Sequence, residues 1–433
     1  MRRKKKHLGR KNEQGIIITL VAVFMLFVIG AMAALSIDVV TIYTARSEAQ
    51  MAADGAALAG ARVLANSGAT SDPNSVFDGL MTSAQTPAEA VATQLAQQNT
   101  VGGTVPTVNV SFGGNPPTNP TVKVVVQANL PTFFARIWGK TSFTVAATSI
   151  AEAYNPSGAN AFGTTIPVAP ICVKPWLLPN IDPSGTSGPN NWIFDPTYGT
   201  IQPTGLLGWY STSAATTMGQ RCGSCTGPLP IPATLQYYPG DASTFLPPTN
   251  SLPTCTPALT TNYQESIAGC IKTPISCNAP AYIDTAPYPG GNRHLDTEEA
   301  VNCLTHSSAN GGDSVDPALA TPPAGTAPFE FLAGNNNPIA SAIGKDTMVS
   351  DSLVTVPVFN STVGVAPTNP VTIIGFVQLF LNYNGNATST TGPLRVYTEV
   401  INMAGCGSSA TGTPKIIGNG ASPVAVRLVS SSP

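Results

Sequence analysis

Few residues in this sequence have types and spacing that could do chemistry. There are three histidines: His7, His294 and His306. His294 and His306 flank a segment carrying Glu298, Glu299 and Cys303, a set of nitrogen, oxygen and sulfur donors. A metal centre needs three or four ligands converging at fixed geometry. A twelve-residue gap across a short helix does not supply that convergence, so these read as solvated polar positions. Cys222-Gly-Ser-Cys225 is a CxxC pair, which in a βαβ context would suggest thiol redox chemistry. No such context surrounds it, and no second CxxC completes a zinc ribbon. The sequence has no phosphate-binding glycine loop, no GxSxG elbow and no dinucleotide fingerprint. We therefore expect no catalytic residues, no metal site, no cofactor and no small-molecule substrate, and the chain does not read as an enzyme.

Composition points the same way. Only 10% of the 433 residues are charged, against ~25% in ordinary soluble domains. Glycine and proline each number 40 without any collagen-like repeat. The surface must then be built largely of Ser, Thr, Asn, Gln and backbone, which suits an extracytoplasmic, loop-rich protein. The eight cysteines Cys172, Cys222, Cys225, Cys255, Cys270, Cys277, Cys303 and Cys406 are an even set and read as disulfide candidates. Their pairing is not fixed by spacing.

The element that must position everything else begins at Gln14. Between Ile16 and Ile37 only Thr19, Gly30 and Ser36 interrupt the apolar side chains, and no charge appears until Asp38. A helix of these residues is ~33 Å long, enough for a hydrocarbon core of ~30 Å. Seven of the 20 basic residues precede it within the first eleven positions, and the remainder of the chain carries 13 basic and 22 acidic groups, a net of −9. The positive-inside rule keeps such a basic head cytoplasmic, which makes nucleic acid an unsuitable partner for it. The expected topology is a single span with the bulk of the chain periplasmic or extracellular. Ala31-Met32-Ala33 offers a small-residue cleavage site, but the apolar run exceeds a signal-peptide core, so a signal anchor is the reading adopted.

After Asp38 the helical pattern continues with small residues: Ala45, Ala49, Ala52, Ala53, Ala56, Ala59, Gly60 and Val63 recur at helical spacing. Gly30 and Ala34 form a small-xxx-small pair inside the apolar run. The small-residue face could cover the chain's own sheet or another subunit. The candidate partner-packing positions are Gly30, Ala34, Ala49, Ala52, Ala53, Ala56 and Gly60.

The order of basic head, uncharged span, Asp38, Tyr43, Arg46, Gln50 and Ala52-Ala-Asp-Gly-Ala-Ala-Leu-Ala-Gly-Ala61 resembles the N-terminal segment of TadG-like proteins of the tight-adherence (Flp pilus) assembly machinery. Gly55 departs from the alanine usual there. The resemblance implies a bacterial inner-membrane protein with an envelope-anchoring or minor-pilin role and pilus-assembly or pilin-like subunits as partners, besides the lipid bilayer. Prepilins carry Gly followed five residues later by Glu. Here Gly9 is followed by Gln14, so peptidase processing is not expected. Some TadG-like proteins carry a von Willebrand A domain with an Asp-x-Ser-x-Ser metal motif. Asp182-Pro-Ser-Gly-Thr186 is the nearest string, but Pro179 before it should spoil a central parallel strand.

Along the rest of the chain, Thr86-Pro-Ala-Glu89 reads as a capping box opening a helix to Gln98, with Val91 and Leu95 inward. Thr107–Phe112 and Thr121–Ala128 alternate as two strands of a hairpin. Pro131–Gly139 reads as a short helical turn and Ser142–Ala151 as a third strand. The turn, with its Thr-Phe-Phe-Ala run, also resembles the family. Asp296–Leu304 reads as a helix. Leu353–Phe359, Val371–Asn382, Leu394–Met403 and Val424–Val429 read as strands of a sandwich-like or mixed distal sheet. The expected fold class is α+β: a transmembrane helix continuing into a long amphipathic helix on a small sheet, then a loop-rich disulfide region and a β-rich C-terminal part. The expected divisions are residues 1–13, 14–37, 38–153, 154–344 and 345–433. The sequence thus reads as a bitopic structural or assembly protein. The alternative is a tethered surface binding module whose contacts would be Trp176, Trp192, Trp209, Tyr237 and Tyr238.

Overall fold

Helix α1 (Lys11–Asn66) runs unbroken for 56 residues, about 84 Å at ~1.5 Å per residue. The computed structural model describes residues 11–71, 79–115, 119–157, 167–183, 191–202, 216–220, 235–284, 293–307, 311–315, 331–338, 350–383, 395–407, 416–417 and 422–429. The chain forms two compact units, one of Met1–Ala56, Thr93–Asn109 and Val124–Ser149, the other of Ala57–Ala92, Val110–Lys123 and Ile150–Pro433. The class is α+β, with an N-terminal apolar helix and a β-rich C-terminal part.

Helix α2 (Leu80–Gln98) starts earlier than its capping box suggests, and Pro87 lies inside it. An interior proline costs about 3 kcal/mol. Burying Leu80 and Met81 against Ala69 offsets that, at ~1.5–3 kcal/mol per side chain. The inward face also differs from expectation. It is the alanine row Ala84, Ala88, Ala92 and Ala96, all fully buried, while Val91 and Leu95 are half-buried flanks. Small residues win the inward face because they allow the closest approach of a neighbouring backbone.

Strands β1 (Thr107–Asn115), β2 (Asn119–Pro131) and β3 (Ser142–Tyr154) follow the alternation of the sequence. Val122, Val124 and Val126 are fully buried, while Lys123 and Gln127 are exposed. The hairpin connection at 116–118 lies outside the described residues.

The remaining strands are β4 (Val168–Ala169), β5 (Trp176–Pro179), β6 (Thr216–Gln220), β7 (Leu235–Pro239), β8 (Pro280–Ala281), β9 (Ser314–Val315), β10 (Phe331–Leu332), β11 (Leu353–Phe359), β12 (Val371–Leu381), β13 (Arg395–Gly405), β14 (Ile416–Ile417) and β15 (Ala425–Val429). Hydrogen-bonded neighbours run β11-β5-β7-β6-β13-β12 and return from β12 to β11, closing a six-stranded ring, with β8 on β12. The pairing is mixed, parallel in β11–β5 and β6–β7 and antiparallel elsewhere, so of the two expected forms it is the mixed sheet, closed on itself, and not the sandwich. The final strand is a correction. β15 does not join the distal ring but pairs antiparallel with β3, Ala425 opposite Tyr154 and Val429 opposite Ile150. There Arg427 Nε donates to Glu152 Oε1 at 2.5 Å and its guanidinium lies over the Tyr154 ring. Pro179 does not spoil its strand either. It is the last residue of β5, parallel to β11 with Leu178 opposite Val358, and a strand end is where a missing amide hydrogen is tolerated.

The ring is buried on both faces. Trp176, Leu178, Tyr237, Val377 and Leu379 belong to one apolar cluster, and Leu177, Tyr238 and Phe376 to another, the period-two partition of a pleated strand. Helices α3 (Ala242–Phe245), α4 (Asn262–Ala268) and α5 (Arg293–Leu304) cover it. The α4 start carries a complete capping box, Thr261 with Gln264, which the sequence reading did not single out. Among the described residues, disulfides Cys172–Cys270, Cys255–Cys303 and Cys277–Cys406 brace this part. Cys222 and Cys225 lie outside the described residues.

Two positions in this unit generate predictions. A Cβ at Gly375 would come 2.4 Å from the Phe194 ring, so Gly375→Ala should lower stability by about 1–3 kcal/mol, read as a shift of the urea midpoint. Lys174 is buried and its Nζ donates to the Gly269 carbonyl at 2.8 Å. Burial lowers its ammonium to about 8, with the Asp351 carboxylate pulling the other way. Between about pH 8 and the ordinary 10.5 the unfolded chain holds a proton the folded chain lacks. Stability of the wild type relative to Lys174→Met should therefore rise over that window, by at most about 3 kcal/mol, in urea titrations at stepped pH.

Candidate functional site

The functional element the sequence singles out is α1, and its surface divides into three parts. The first is the apolar run. Its large side chains from Ile16 to Ile37 are exposed, and with a mean hydropathy of 2.9 over its most apolar window the helix is long and apolar enough to cross a membrane. The hydroxyls within the run return to their own helix: Thr19 Oγ1 donates to Gly15 O at 2.8 Å and Ser36 Oγ to Ala33 O at 2.7 Å. Their polarity is thereby masked without a partner. Gly30 is exposed, with nothing within 4 Å of a Cβ built on it, and Ala34 is half-buried.

The second part is the small-residue face. Ala45, Ala49, Ala52, Ala53 and Ala56 are fully buried within the chain. The close approach expected of Gly60 is made by α2 and β2: a Cβ there would lie 3.0 Å from Val122 Cγ1, 3.3 Å from the Ala88 carbonyl and 3.3 Å from Ala92 Cβ. At Gly55 the corresponding neighbour is Leu95 at 3.8 Å. Of the seven positions offered for partner packing, Ala49, Ala52, Ala53, Ala56 and Gly60 are thus covered by the chain's own fold. The third part is the opposite face beyond the apolar run, where Val40, Tyr43 and Met51 are exposed.

Asp38 marks the change from the first part to the second. Its side chain is 3% exposed. It accepts three backbone amides, from Phe133 at 2.9 Å, Phe134 at 3.0 Å and Ala135 at 2.7 Å. These open the 3-10 turn Ala135–Trp138. Burial pushes the carboxyl up. The three amides and the Arg136 guanidinium outweigh this and hold it below its ordinary range. Ten residues on, Glu48 Oε2 accepts the Gly102 amide at 2.7 Å. Sequence reading took Asp38 as the end of the apolar run and missed its role as the cap of a distant turn, because its partners lie 95 to 97 positions away.

The far end of α1 is held by a buried polar network. Asn402 Nδ2 donates to the Ala65 carbonyl at 2.5 Å and to Gln378 Oε1 at 2.6 Å. Ser71 Oγ donates to Asn402 Oδ1 and accepts the Met403 amide, and Asn155 Nδ2 donates to the Thr70 and Met403 carbonyls.

The residues weighed for chemistry are dispersed. Glu299 Oε2 accepts Gln264 Nε2 at 2.6 Å, and Cys303 is bonded to Cys255. His7, the side chain of His294 and Ser184–Thr186 lie outside the described residues. His306 Nδ1 lies 3.4 Å from Asp313 Oδ2. Asp313, which the sequence reading did not single out, is a fully buried hub accepting from the Gly334 amide, Asn337, Ser350 and Ser352. Burial raises its carboxyl, but the hydrogen bonds from His306, Ser350, Gly334 and Asn337 prevail and lower it. Both serine hydroxyls donate to this carboxylate. A nucleophile would instead aim its proton at the imidazole. Among the described residues no three His, Cys, Asp or Glu side chains gather as a metal ion would require. Trp176, Tyr237 and Tyr238 lie in the core and Trp192 is half-buried. Trp209 lies outside the described residues.

The Asp38 cap can be tested by hydrogen exchange. The amides of Phe133, Phe134 and Ala135 should exchange slowly in the wild type and markedly faster in Asp38→Ala. A carboxyl lowered on folding contributes stability above its unfolded value of about 3.8 and loses it as pH falls through the lower folded value. Protection should therefore hold at neutral pH and fade only in strong acid.

Comparison with known proteins returned one family. Residues 17–63 match the model of the TadE/G-like Flp pilus-assembly family, an interval that takes in most of the apolar run and the small-residue face. No curated protein and no solved structure matches the chain. The matched segment and the apolar helix together fit a membrane-anchored pilus-assembly protein. Over residues 17–63 this chain is similar to the TadE/G-like Flp pilus-assembly family.

Proposed function

We propose that this chain is a single-pass structural or assembly subunit of a bacterial tight-adherence pilus or related envelope machine. Its basic head lies in the cytoplasm, its apolar run spans the inner membrane, and its bulk is periplasmic or extracellular. The observation that carries this reading is the family match over one unbroken helix that is apolar and exposed before Asp38 and packed into the fold after it. The charge asymmetry around the span supports the orientation. The three disulfides among the described residues, all beyond Asp38, support an oxidising compartment for the bulk. The role is packing rather than catalysis. Because the alanine face is buried within the chain's own fold, contact with other subunits falls to the exposed surface of α1: Gly30 within the span, and Val40, Tyr43 and Met51 beyond it.

The test is a photocrosslinking residue at Tyr43 or Met51 in membranes of cells producing the pilus machinery, with Ala56 as the buried control. Pilus-assembly or pilin-like subunits captured from 43 or 51, and no other protein from 56, is the expected result. Absence of any protein adduct from both exposed positions would overturn the packing role.

A further inference from the structure

Beside the end of the apolar run lies a second exposed apolar patch that the assembly reading does not use. Phe133 is 62% exposed, Ile137 74% and Trp138 58%, all within six residues of chain. They are not on a loose loop. Asp38 holds the amides of Phe133, Phe134 and Ala135. Thr132 Oγ1 donates to the Lys140 carbonyl, the Thr132 amide to Thr141 O at 3.1 Å, and the Lys140 amide to Ala135 O at 3.2 Å. Arg136 Nε donates to Thr132 O at 2.8 Å. A turn closed this tightly presents its side chains with little entropy left to lose on burial.

Asp38 is the first residue after Ile37, so its carboxylate fixes the turn at the level where α1 leaves the apolar run. Leu35, Ile37 and Val39, which flank Asp38 on α1, are exposed apolar side chains at the same level. Exposed Arg136 and Lys140 sit among the apolar side chains. A ring with an apolar body and a polar edge, beside long cationic side chains, matches the chemistry of the bilayer's headgroup boundary. We propose that Phe133, Ile137 and Trp138 are an interfacial anchor inserted into the outer headgroup–acyl boundary of the same bilayer that α1 spans, with Arg136 and Lys140 among the headgroups. The anchor gives α1 a second point of attachment to the lipid and so fixes its rotation about its own axis. This inference rests on the reading of α1 as a span.

The test uses the full chain in vesicles of phosphatidylcholine and phosphatidylglycerol, doped with lipids carrying a quencher either near the headgroup or at the end of the acyl chain. The difference in tryptophan emission between wild type and Trp138→Phe isolates Trp138. Phe24→Trp in the Trp138→Phe background reports on the middle of the run. The expected result is a blue-shifted Trp138 component quenched more by the shallow label, with Trp at 24 quenched more by the deep one. If 24 responds to the deep label and the Trp138 component responds to neither, the turn faces water or protein and the anchor is overturned while the span stands. If 24 responds to neither label, the span itself fails and the anchor with it.

Discussion

One constraint governs the rest: a single helix must serve two solvents without a break. Before Asp38 its large apolar side chains are exposed, and its backbone and its two hydroxyl side chains are satisfied by the helix itself. After Asp38 it must be a packed element of a folded unit. Alanine and glycine make that possible. They carry little side-chain volume, so α2 and β2 come within van der Waals reach of the backbone at Gly60. They also cost little rotamer entropy when buried. The interior row of α2 is alanine as well.

Such an interface gains less from apolar area than one built of leucines, and polar contacts complete it at the two ends of the outer helix. At one end Asp38 is a buried carboxylate made acceptable by three amides and a nearby guanidinium. At the other, Asn402, Gln378, Ser71 and Asn155 form a network around the last turn of α1. A buried polar group left unpaired costs about 1–3 kcal/mol, so each of these contacts specifies geometry more than it adds net stability.

The distal region solves a different problem. In a chain with only 10% charged residues and much proline and glycine, it stabilises short strands by closing them into a ring, by burying both faces and by the disulfides seen among the described residues. Asp313 organises its loops as a hub that gathers segments otherwise lacking regular structure.

The sequence by itself determined which stretch is apolar enough for lipid, which strands alternate and which residues resemble a pilus-assembly segment. These are local properties: an apolar run, a period of two in Val122, Val124 and Val126, a spacing of small residues. Tertiary structure decided what covers each face. Periodicity marks Ala49, Ala52 and Ala56 as a packing surface but does not say that the chain's own fold fills it. A capping box at Thr86 is a true local preference, overridden when Leu80 and Met81 find a core. The partners of Asp38, the pairing of six cysteines, the pairing of β5 with β11 and the return of β15 to β3 all join residues far apart in the chain. Their free energies depend on bringing distant segments together, and no short-range pattern carries that information.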